Sequence, residues 1–60
     1  MSRINDWIMD MDMFVEEAIW ESGLRDVEEI VEDVEKHMKP TPIDRRYVRA
    51  QAKNALEAMA

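Results

Sequence analysis

The chain has 60 residues, fourteen acidic against eight basic for a formal net charge of −6, with no cysteine and a single histidine. A chain this short buries only about 60% of the surface its unfolded form exposes, and lacking cysteine it has neither disulfides nor thiolate metal sites to compensate, so the expectation is one marginal domain, residues 1–60, assisted by self-association or a partner. The negative balance argues against general affinity for nucleic acid or anionic lipid.

Met1-Ser2-Arg3 leads into carboxylates where a secretory signal would need a long apolar run, and no stretch approaches the ~18 apolar residues of a membrane span, which predicts a soluble, cytoplasmic protein. From about Ser2 or Asn5, the residues Ile4, Trp7, Ile8, Met11, Phe14, Val15, Ala18 and Ile19 recur at spacings of three and four, one face of a helix over residues 3–21. Ser22-Gly23-Leu24 has the form of its end. Gly23 can take the left-handed conformation past the cap, letting Leu24 fold back on Ile19.

Asp26-Val27-Glu28-Glu29 resembles a capping box and opens a helix over residues 26–38, whose apolar stripe is Leu24, Val27, Val31, Val34 and Met38, widened by Ile30. Lys39-Pro40-Thr41-Pro42 ends it, since Pro40 removes a donor and biases Lys39 out of the helical region. Thr41 as N-cap, Pro42 at the first helical position and Asp44 beside the positive dipole end predict a third helix over residues 42–59. Its expected core face is Val48, Ala52, Ala55, Leu56 and Met59, small enough for close helix approach. The fold class is therefore all-α, a three-helix unit, expected as a dimer. In an alternative arrangement the third helix swings out at the proline-rich hinge to complete a partner's core.

Two surfaces remain once the core is assigned. Met9, Met13 and Trp20 project opposite the main face of the first helix, among Asp6, Asp10, Asp12, Glu16 and Glu17. An exposed tryptophan with flexible methionines suits an adaptable protein-binding surface; core between packed helices, or a dimer interface, is the commoner origin of such a stripe. Arg45, Arg46, Arg49 and Lys53 form a basic stripe on the third helix with Tyr47 nearby for stacking, the one nucleic-acid-like or acidic-partner-like feature. The two-proline turn is longer than a helix-turn-helix uses, and carboxylates of the second helix can neutralise the same arginines internally, which is the favoured reading.

Residues 1–37 carry twelve acids and three bases, whereas residues 38–60 carry two acids and five bases. Spaced acids on rigid helices can imitate a phosphate backbone, but a solvated face that keeps a small protein soluble is the ordinary origin of such a pattern. No calcium-loop spacing occurs, His37 reads as a helix C-terminal residue favoured by the dipole, and both Ser2 and Ser22 lie at helix ends without an adjacent base. Catalytic, cofactor and metal residues are accordingly expected to be absent. The expectation is a non-enzymatic regulator, inhibitor or adaptor that binds another protein. A dimeric nucleic-acid binder using the basic face is the alternative, and a small structural subunit of a larger assembly a third.

Overall fold

The computed structural model describes residues 3–60, with side chains from Asp6 onward. Three helices follow in order, α1 (Arg3–Trp20), α2 (Val27–Met38) and α3 (Arg45–Met59), and no strand occurs among the described residues. The expected helix start at Ser2 and the core role of Ile4 lie outside the described residues and side chains.

Each boundary has a local cause. At the end of α1 the amides of Glu21 and Ser22 both close on the Glu17 carbonyl, at 2.8 and 3.1 Å, and Leu24 N reaches the Ala18 carbonyl at 3.0 Å. Gly23 makes this reversal at φ 71°, in the left-handed region that disfavours a Cβ. Arg25 completes the cap by donating Nη1 to the carbonyls of Ile19 and Leu24, both at 2.9 Å. Asp26 caps α2 by accepting the Glu28 amide at 2.8 Å.

The start of α3 differs from the sequence expectation. Thr41 is not its cap; the Thr41 amide turns back onto the Met38 carbonyl at 2.8 Å and so finishes α2. Asp44 takes the role, its carboxylate accepting the Tyr47 amide at 3.1 Å. The reason is tertiary. The Pro42 carbonyl accepts Trp7 Nε1–H at 2.9 Å and Ile43 turns in against the core, so this stretch follows a path fixed by α1 rather than a first helical turn. The connection is held to α1, and the helix waits for the next good cap.

The core draws Met11, Val15, Ala18 and Ile19 from α1, Ile30, Val31, Val34 and Met38 from α2, and Val48 and Ala52 from α3. No polar or charged residue is buried among the described residues. Pairing of Arg45 with Glu35 and of Arg49 with Glu28 sets α2 and α3 antiparallel, and the Phe14–His37 ring stack places the middle of α1 beside the end of α2. At 1.5 Å per residue, α3 runs past the start of α2 by about two turns. Consequently Ala55 and Leu56 are only half-buried and Met59 is exposed, so the expected core face of α3 stops short of its own C-terminus.

Candidate functional site

On α1, positions 9, 13 and 20 fall within about 40° of one another at 3.6 residues per turn, and roughly opposite Met11, Val15 and Ala18. The burial pattern agrees: Met9, Met13 and Trp20 are 65%, 45% and 66% exposed, while Met11 and Ala18 are sealed in the core. Met9 and Trp20 are eleven steps apart, or about 16 Å along the helix. Exposed carboxylates border them on both sides, Asp6, Asp10 and Glu17 along one edge and Glu16 along the other. None of these four has a cationic partner among the described side chains, which begin at Asp6.

At the C-terminal end of α1 the stripe meets α3. Trp20 and Met59 form the walls of an open groove of about 450 Å³ lined also by Glu16, Ala55 and Ala58. Glu16 and Ala55 also line a neighbouring depression of about 380 Å³ between α1 and α3, bounded by Asp12, Val15, Gln51 and Asn54. The two share residues, so the seam between α1 and α3 is a continuous furrow whose apolar end is Trp20 and Met59. Sequence reading missed the α3 side of it, because Met59 keeps the spacing of the core face and only the overhang of α3 exposes it.

The basic stripe of α3 is divided by the fold. Arg45 donates to Glu35 Oε1. Arg49 forks onto Glu28, with Nε at 2.7 Å from Oε2 and Nη2 at 3.2 Å from Oε1. That hydrogen bond, reinforced by the charges of Arg49 and then Arg45 and opposed by slight burial, lowers the Glu28 pKa below its ordinary value. The Arg49 pKa rises for the reciprocal reasons, the hydrogen bond to Glu28 first and its charge second. Arg46 and Lys53 are exposed and make no ion pair among the described residues. Tyr47 does not join them: it is half-buried and its hydroxyl donates to Asp12 Oδ1 at 2.8 Å across the α1–α3 contact. The bond to Asp12 raises the Tyr47 pKa, with slight burial and the Asp12 charge acting in the same direction.

His37 lies beside Asp33, with Nδ1 2.8 Å from the Asp33 carbonyl and 3.4 Å from Oδ2, and its ring stacks on Phe14 at 5.5 Å between centroids. An aromatic contact of this kind covers Phe14 where the α1 face leaves the core. Among the described residues no group of three or more metal-ligating side chains converges, and no helix is long and apolar enough to cross a membrane.

Compared with known proteins, the chain matches no family model, no curated protein and no solved structure.

Proposed function

We propose that this chain acts by binding another protein through the outer face of α1, as a small acidic regulator, inhibitor or adaptor with no catalytic step of its own. One observation carries the reading: Met9, Met13 and Trp20 stay solvent-exposed in a protomer whose three helices already close a core on their other faces. Leaving a tryptophan and two methionines in water forgoes apolar burial, and large apolar groups clustered on one face mark binding surfaces. Methionine side chains adapt to a partner's relief, and tryptophan is enriched among the residues that dominate interface energetics.

The nucleic-acid alternative loses support from the way α3 is used. Two of its four basic residues, Arg45 and Arg49, are held by Glu35 and Glu28, and Tyr47 is turned toward α1. Arg46 and Lys53 alone supply too few phosphate contacts for tight binding against a net charge of −6.

Light scattering over a concentration series on wild type and on a Met13→Glu, Trp20→Glu variant tests the proposal. A folded wild-type monomer supports a face kept for a foreign protein. A wild-type dimer that the variant turns into monomer assigns the face to self-association and overturns the proposal.

A further inference from the structure

We infer that the partner presents a cationic amphipathic helix, laid along α1 with an apolar anchor in the groove between Trp20 and Met59. The inference rests on the protein-binding reading above and adds the chemistry of the partner.

Shape comes first. Met9, Met13 and Trp20 stand at i, i+4 and i+11 on one line of about 16 Å, or three turns, long enough to receive a helix docked lengthwise whose own anchors recur at i, i+4, i+7 and onward. The line ends in an open groove of about 450 Å³ with Trp20 and Met59 as walls and Ala55 and Ala58 lining it. Alanine leaves the room there that a partner's leucine or aromatic ring would fill.

Charge then selects among occupants. Asp6, Asp10 and Glu17 on one edge and Glu16 on the other are exposed and unpaired among the described side chains, whereas Glu28 and Glu35 on α2 already hold arginines. Covering the stripe partly desolvates these rim carboxylates, and a burial that leaves them without a counter-charge is unfavourable. A second copy docked face to face would set the same acids against each other. Nor does the outer face of α3 in a second copy offer a match, since Arg46 and Lys53 there flank Ala50, Asn54 and Glu57 rather than an apolar stripe. A helix with an apolar face flanked by lysine or arginine satisfies both demands at once.

The probe is a synthetic helical peptide of about 18 leucines and lysines, long enough to hold helix, with leucine at i, i+3, i+4 and i+7. Two controls accompany it: the same composition scrambled to abolish the apolar face, and the same pattern with glutamate in place of lysine. Calorimetric titration of the full chain should give one-to-one binding of the cationic peptide, at least about tenfold tighter than the scrambled one, with the glutamate peptide not bound; Trp20→Ala and Met13→Ala, each shown folded by circular dichroism, should weaken it about tenfold or more. Equal binding of the scrambled peptide, or binding unchanged in both variants, overturns the inference, because charge alone would then suffice. Light scattering on the same samples separates the two levels. A monomer that fails to prefer the cationic peptide removes only the partner's chemistry, whereas a dimer dissolved by Trp20→Glu removes the protein-binding reading with it.

Discussion

The Tyr47 hydroxyl donates to Asp12 Oδ1 at 2.8 Å, tying the first turn of α3 to the middle of α1 across 35 residues of chain. A typical intramolecular hydrogen bond contributes about 1 kcal/mol net, so Tyr47→Phe should lower unfolding stability by at least that order in urea melts at neutral pH. The pH dependence has a definite sign. The folded-state pKa of Tyr47 is raised above its ordinary value near 10, so the contribution is present below that pH and is lost as pH rises through the folded value. Wild type should therefore lose more stability than Tyr47→Phe on passing from neutral to strongly alkaline solution.

Trp7 and Trp20 should report different surroundings. Trp7 is half-buried with its indole donating to Pro42, while Trp20 is 66% exposed beside Glu16 and Glu17. Acrylamide should quench chiefly the emission that Trp20→Phe removes. Around Trp20 the carboxylates should raise quenching by caesium and lower quenching by iodide, each taken relative to free N-acetyltryptophanamide at the same low ionic strength, with both departures fading as salt screens the charges. Ratios to the free standard that are equal for the two ions would count against an acidic rim at Trp20.

Asp44 and Thr41 separate the observed cap of α3 from the expected one. Asp44→Ala removes the acceptor of the Tyr47 amide and should cost about 1 kcal/mol, whereas Thr41→Ala leaves the helix start intact and should cost a few tenths or less. Thermal or urea unfolding followed by circular dichroism reads both. The reverse order would place the helix start at Pro42.

The Glu28–Arg49 fork joins α2 to α3 at the surface, and its effect should be visible in acid. Because the Glu28 pKa is lowered in the fold, its contribution is present above the ordinary value of 4.5 and is lost as pH falls through the folded value. Glu28→Gln should thus flatten the acid limb of the stability profile, and added salt should shrink the difference between variant and wild type. An unchanged acid limb would show that the fork does not contribute to stability.

Much of this protein is written in local pattern. The apolar spacing of three and four from Trp7 to Ile19 selects one face for the core, and because that periodicity is a property of the helix itself, the opposite placement of Met9, Met13 and Trp20 follows without knowledge of any neighbour. Gly23 past α1 and Asp26 before α2 are equally local, since a left-handed turn and a side-chain cap involve only adjacent backbone. Where two local signals competed, tertiary contact decided. Thr41-Pro42 and Asp44 are both acceptable helix starts, and the long-range bond from Trp7 to Pro42 selects the second. Arg45, Arg46, Arg49 and Lys53 form one stripe on a helical wheel, yet only packing against α2 shows that Glu35 and Glu28 take Arg45 and Arg49 while Arg46 and Lys53 face solvent. The exposure of Met59, and with it the groove beside Trp20, depends on how far α3 extends beyond its neighbours. That length mismatch belongs to the packed arrangement, because the periodicity of one helix carries no information about where the next one stops.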